Sequence, residues 1–255
     1  MKILLLSSCF EEITLVTASC KKSAGIKTSD DSHYPLGIGY LHSYLASCGH
    51  TVKSLFLNNY DFDRCFATVR DEIDEFRPDC VGFQVITPNR VSTYRLMEYI
   101  HEKHPHIRLV AGGIHATIMY KQLIEKYPFV TVVLGEGEVT LCELIAKFEE
   151  EKSDLTSVDG IAFFHNGSVV KTDPRELIED LDCLPFPNHE QYFRKGRQRG
   201  ALLTSRGCPF TCSFCSLNSI SGRKVRYRSV KNVVDEIEYM VNTFPTLSHL
   251  WIHDD

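Results

Sequence analysis

The chain of 255 residues carries 28 Lys and Arg against 33 Asp and Glu, a formal charge of −5, with 43% hydrophobic and 24% charged residues. That balance excludes wholesale disorder, and one to two domains of this size bury a core without staples. No apolar run approaches the ~20 residues that span a bilayer, and no basic face is offered to nucleic acid, so neither is an expected partner.

The N-terminal run MKILLLSSCFEEITLV is too short in its apolar part, and acidic too soon, for a secretory signal; it reads as a first strand of a cytoplasmic chain. From 1 to 150, short aliphatic runs alternate with amphipathic stretches. Strands are expected at 2–6, 51–57, 79–85, 107–112 and 130–135, each near-continuously apolar as in strands buried on both faces. Helices are expected at 36–48, 62–76, 89–104, 115–126 and 137–149. In the last of these Val139, Leu141, Leu144, Ile145 and Phe148 keep to one stripe. Five β-α repeats predict an α/β fold with a doubly wound, parallel five-stranded sheet that binds ligands beyond the carboxyl ends of its strands.

Two of those ends are glycine-rich. Gly112-Gly113-Ile114-His115 follows the fourth strand and Gly135-Glu136-Gly137-Glu138 follows the fifth. Such glycines either let backbone approach a ligand or simply turn tightly into a helix. No G-x-G-x-x-G follows the first strand, so the dinucleotide fingerprint is missing.

Residues 151–199 read as a hairpin and linker: 160–172 turns about Asn166-Gly167, and Pro174, Pro185 and Pro187 punctuate an acidic stretch. A strand at 201–205 then runs into three cysteines. A helix at 228–244, with Ser229 as its N-cap, and a strand at 248–255 follow. This is β-α-β of a second β/α domain at 200–255, too little to close a barrel, so a truncated barrel is expected.

Of ten cysteines, Cys9, Cys20, Cys48, Cys65, Cys80, Cys142 and Cys183 are scattered and read as reduced, mostly buried thiols. Cys208, Cys212 and Cys215 crowd together at C-x3-C-x2-C spacing on a loop shaped by Gly207 and Pro209. A structural zinc site needs a fourth ligand, for which only the distant His249 and His253 offer themselves. A [4Fe–4S] cluster on three cysteines keeps one iron open, which a substrate or cofactor can chelate.

With Phe214 just before the third cysteine, this motif resembles the signature of radical SAM enzymes. The resemblance implies a [4Fe–4S] cluster on Cys208, Cys212 and Cys215 whose open iron binds S-adenosylmethionine (S-adenosyl-L-methionine) and cleaves it reductively to a 5′-deoxyadenosyl radical. It also implies a reducing partner such as flavodoxin or ferredoxin, and a polar contact to the methionine group at His253-Asp254-Asp255. An acidic chain end is the alternative for Asp254 and Asp255. Pro35-Leu36-Gly37-Ile38-Gly39-Tyr40-Leu41, Gly112-Gly113-Ile114-His115-Ala116-Thr117 and Gly135-Glu136-Gly137-Glu138 are similar to the cobalamin-binding domain that precedes the barrel in one radical SAM subgroup. That similarity implies a Rossmann-like domain at 1–150 holding cobalamin at its carboxyl edge, with Gly112, Gly113, His115, Gly135, Glu136 and Gly137 as binding residues. For His115, capping of its own helix is the alternative. The expected reaction is methyl transfer or another radical modification of an unactivated carbon of a small-molecule substrate.

Asp31-Ser32-His33-Tyr34-Pro35-Leu36-Gly37 departs by one residue from D-x-H-x-x-G, so His33 is not assigned to cobalt. Glu136 and Glu138 are expected to cap and charge a helix start rather than form an acid/base pair, and Arg206 tunes the cluster, binds a carboxylate or is solvated. Lys224, Arg226 and Arg228 read as a solvated strand face, with neutralisation of an anionic substrate as the alternative, and Trp251 reads as core. A catalytically inactive cobalamin-binding fragment and a zinc-stapled interaction domain stand as alternatives to the enzyme.

Overall fold

A computed structural model describes residues 1–10, 34–150, 154–194 and 196–254. Five β/α units come first. They are β1 (Lys2–Ser7) to α1 (Leu36–Ser47), β2 (Thr51–Phe56) to α2 (Phe62–Phe76), β3 (Cys80–Gln84) to α3 (Arg90–Lys103), β4 (Arg108–Gly112) to α4 (Ile114–Lys126), and β5 (Val130–Val133) to α5 (Glu138–Phe148). Every expected strand and helix of this part is present. Their local order has ordinary causes: Asp61 caps α2 through the Arg64 amide at 2.8 Å, and α2 ends on Arg77 in the left-handed region.

Parallel pairing runs β2-β1-β3-β4-β5, so the strand order reverses between β1 and β3. Ligands of doubly wound sheets bind beside that reversal, beyond the carboxyl ends. Successive β1 side chains divide between two cores: Ile3 and Leu5 pack with α1 and α5, while Leu4 and Leu6 pack beneath α2, α3 and α4.

The sheet does not stop at five strands. β6 (Ile161–His165) and β7 (Ser168–Lys171) extend it to seven, with β6 antiparallel to β5 through Val132↔Ala162 and Val133↔Ile161. The hairpin expected in the linker is therefore an edge of the first domain. The cause is apolar: Ile161, Ala162 and Phe163 are buried, and β5 would otherwise leave its ladder unpaired at an open edge. Asn166 and Gly167 form the expected turn, both with positive φ.

α6 (His189–Phe193) leads to the second unit, comprising β8 (Arg199–Leu202), β9 (Ser205–Arg206), β10 (Arg226–Tyr227), α7 (Val230–Thr243) and β11 (His249–Ile252). β8 and β11 pair in parallel, β9 and β10 antiparallel, and Ser229 caps α7 through the Asn232 amide at 3.1 Å. Met240 and Phe244 of α7 join the same core as Tyr34, Phe56 and Tyr192, which welds this unit to the sheet domain. Trp251, expected in the core, is 44% exposed; β11 pairs only with β8 among the described residues, so one edge and one face are bare. Of the scattered cysteines, Cys9, Cys65 and Cys80 are buried and Cys142 half-buried, but Cys48 and Cys183 are exposed. Cys20 lies outside the described residues.

Candidate functional site

A cavity of about 530 Å³ opens at the carboxyl edge of the sheet, beside the β1/β3 reversal. Leu5, Gly82, Val110 and Val133 form its floor, Gly37 and Leu41 of α1 one side, and Leu203, Arg206 and Cys215 its far wall. Gly112, Gly113, Gly135, Glu136 and Gly137 line it as well. Its walls thus come from both units of the chain.

Gly113 is required where it stands. It caps α4 with φ 92° and ψ 176°, and a Cβ there would lie 3.0 Å from the Val85 carbonyl oxygen. That corner of φ/ψ space is essentially closed to other residues. The close approach is held by the Val85 amide donating to Gly112 at 2.8 Å and the His115 amide donating to Val85 at 3.1 Å. The His115 ring itself does not line the cavity; its Nδ1 lies 3.2 Å from Thr87 Oγ1. Burial, aided by Arg90, lowers its pKa and favours the neutral ring.

Glu138 opens α5 as expected, but neither Glu136 nor Glu138 is solvated. Their side chains are 7% and 6% exposed, and both are met by arginines from far along the chain. Arg206 donates to Glu138 at 2.6 Å and lies 3.3 Å from Glu136, while Arg226 reaches Glu136 at 2.8 and 2.9 Å. The Ile178 amide adds a third donor to Glu136 at 3.0 Å. Burial alone would raise the Glu136 pKa; the Arg226 hydrogen bonds and the Arg206 charge outweigh it and hold the carboxyl below its ordinary range. For Arg206, burial opposes and Glu138 favours the charged form, and the guanidinium stays protonated. Arg226 and Arg228, expected on a solvated face, are buried too: Arg228 meets Glu236 at 2.5 Å, and Glu236 meets His189 at 2.7 Å with both side chains fully enclosed. Lys224 alone of the three basic residues is exposed, beside Glu179.

The cysteine loop leaves β9 at Gly207, whose φ of 97° and close approach to the Lys224 carbonyl again exclude a side chain. Cys208 donates its amide to Gly222 at 3.3 Å, and Cys215 donates to Cys212 at 3.1 Å, closing a turn. Cys208 is half-buried, Cys212 and Cys215 are exposed, and none is in a disulfide. Only Cys215 reaches the cavity wall. Among the described residues no three His, Cys, Asp or Glu side chains are gathered closely enough to hold a metal ion, the cysteine trio included, and neither His249 nor His253 joins it. The donor set itself, three free thiols on one short loop beside a cavity, fits a cluster with three protein thiolates. Phe214 is 92% exposed on that loop. Asp254 is spent on the start of β9: it accepts from the Thr204 hydroxyl, the Thr204 amide at 2.6 Å and the Ser205 amide at 3.0 Å, and burial, which would raise its pKa, is outweighed by these bonds. Asp255 and His33 lie outside the described residues.

The arginine–glutamate network is the part that sequence reasoning missed. Its members are separated by 68, 70 and 90 positions, beyond any local periodicity. The available signal was parity: two glutamates at one glycine-rich strand end, and two arginines bracketing the cysteine loop.

Comparison with known proteins agrees with this layout. Residues 23–145 match the B12-binding domain family. The chain is 36% identical over 217 residues to an anaerobic magnesium-protoporphyrin IX monomethyl ester cyclase of Rubrivivax gelatinosus, covering 81% of this chain and 39% of that protein. It is 28% identical over 219 residues to the cobalamin-dependent radical SAM methyltransferase TokK of Streptomyces tokunonensis, covering 80% and 31%. The whole chain superposes on 34% of the cobalamin-dependent S-adenosylmethionine radical enzyme OxsB, with a TM-score of 0.79 at 20% identity. The chain therefore spans less than half the length of each.

Proposed function

From the premise that this chain carries a B12-binding domain and corresponds to the N-terminal portion of cobalamin-dependent radical SAM enzymes, we propose that its cavity takes cobalamin and that Cys208, Cys212 and Cys215 hold a [4Fe–4S] cluster. One observation carries the reading: a single cavity is walled on one side by the glycine-rich strand ends and on the other by the loop of Cys215. When bound, the cluster, S-adenosylmethionine and cobalamin would supply radical generation and methyl transfer, or another radical modification, at an unactivated carbon of a small-molecule substrate.

The chain's own residues supply position and exclusion. Gly113 lets the β4 turn lie close against Val85 at the edge of the cavity. The largely apolar floor suits a broad macrocycle and sheds water. Cys208, Cys212 and Cys215 would hold the cluster as thiolates, with Cys215 at the cavity wall, and Asp254 anchors the backbone that enters their loop. The exposed face around Phe210 and Phe214 is where a one-electron donor such as flavodoxin or ferredoxin would approach. Anaerobic reconstitution with iron and sulfide should load about four irons per chain, with broad visible absorbance, and replacing the three cysteines with Ala should abolish it. Titration with hydroxocobalamin should shift the visible spectrum. A single tightly held zinc and an unaltered cobalamin spectrum would refute the reading.

A further inference from the structure

Arg206 and Arg226 are direct partners in the antiparallel β9/β10 ribbon. Two like charges opposite each other destabilise a ribbon unless a counter-charge stands between them. Here that counter-charge is Glu136, which comes from the other unit of the chain. Its Oε1 lies 3.3 Å from Arg206 and 2.8 Å from Arg226. Arg226 also donates to the carbonyls of Ile178, at 2.7 Å, and Ser221, at 3.0 Å. One guanidinium, its side chain 1% exposed, thus ties together the cavity-lining Gly135–Glu138 turn, the connecting segment and the C-terminal end of the cysteine loop.

We propose that Arg226 is a positioning residue: through Glu136 it holds the cysteine loop and the sheet edge in one register, so that Cys215 stays over the cavity mouth. Arg226 is not itself part of the cavity wall, so its role is exerted through Glu136 and Ser221. The network is buried enough for this. Removing one partner of a buried pair leaves an uncompensated charge, whereas a surface pair would be replaced by water at little cost. Lysine keeps the charge but forfeits the forked geometry that serves two carboxylate oxygens and two carbonyls together.

The inference rests on cobalamin occupying the cavity, and its test separates the two. The protein, freed of iron, is alkylated with iodoacetamide with and without hydroxocobalamin, and each cysteine is followed by peptide mass spectrometry, with Cys48, exposed and outside the cavity lining, as internal reference. In the wild type, hydroxocobalamin should slow modification of Cys215 at least fivefold relative to Cys48. In Arg226→Gln that protection should fall below twofold, with hydroxocobalamin affinity changed by less than about threefold; Arg226→Lys should restore part of it. Glu136→Gln, which keeps the side chain's size, serves if Arg226→Gln does not fold and should halve the protection or more. Failure of the wild type to bind hydroxocobalamin overturns the cobalamin reading and this inference with it. Binding with full protection of Cys215 in folded Arg226→Gln, or in Glu136→Gln, overturns the inference alone.

Discussion

Adjacent glycines at the end of β4 allow a controlled test of how the cavity is built. Gly112 has ordinary backbone angles, and a Cβ there would meet nothing nearer than the Val133 carbonyl oxygen at 3.8 Å. Gly113 has φ 92° and ψ 176°, with the Val85 carbonyl oxygen 3.0 Å from the same added atom. Alanine at 112 should therefore be neutral or slightly stabilising, because it only narrows the unfolded ensemble. Alanine at 113 costs about 1–3 kcal/mol in backbone strain. A further contribution comes from pushing back Val85, whose carbonyl accepts from the His115 amide and whose amide donates to Gly112. A total of about 3 kcal/mol corresponds to a melting temperature roughly 6–12 °C below that of Gly112→Ala for a chain of this size. Thermal unfolding followed by circular dichroism measures that gap directly. Hydroxocobalamin titration should show Gly113→Ala binding at least tenfold more weakly than wild type, since the displaced turn closes on the cavity. Gly49→Ala controls for strain alone, because Gly49 also has positive φ but no atom within 4 Å of an added Cβ. A Gly113→Ala protein that melts within 2 °C of Gly112→Ala would refute the close-approach argument.

Three further outcomes are expected. His42 is buried against Ser54, with Nδ1 to Oγ at 2.8 Å; burial first, and Arg194 second, take its pKa from 6.5 down to about 4. The unfolded chain then binds the extra proton, so stability falls on acidification from about 6.5 to about 4, by about 3 kcal/mol, and urea midpoints of His42→Gln should lack that portion of the decline. Glu236→Gln should cost about 3 kcal/mol, read as a melting temperature lowered by roughly 6–12 °C, because Arg228 keeps its charge without its carboxylate partner; a change under 2 °C contradicts a buried ion pair there. In the native iron-free protein at pH 8, iodoacetamide should modify the exposed Cys212 and Cys215 within minutes and leave the buried Cys80, whose thiol burial pushes up to about 12, untouched for hours; labelling of all three together would contradict the described burial.

How far a sequence discloses such a site depends on the range of the physics involved. β1 through α5 were legible because each strand and helix is specified by its own period, and the doubly wound order follows from right-handed crossovers. Gly113 and Gly207 were legible as glycines but not as necessities, since each exclusion is imposed by a carbonyl, of Val85 or Lys224, set in place by tertiary contacts. The β6/β7 hairpin was legible as a hairpin, yet its attachment to β5 depends on an open edge that exists only once the sheet is assembled. Glu136 and Glu138 mark the limit most clearly. A local rule assigns acids after a glycine to a helix start, which holds for Glu138, but it is silent on their burial, which is decided by what lies above them. Ile178 and the β9/β10 ribbon cover that turn, and once covered, two carboxylates are tolerable only with cations of equal number and matching fork geometry. Arg206 and Arg226 meet that requirement, and they stand on the ribbon from whose ends the cysteine loop hangs. The charge compensation that permits the cavity wall to be buried is therefore the same contact that fixes where the cysteine loop sits.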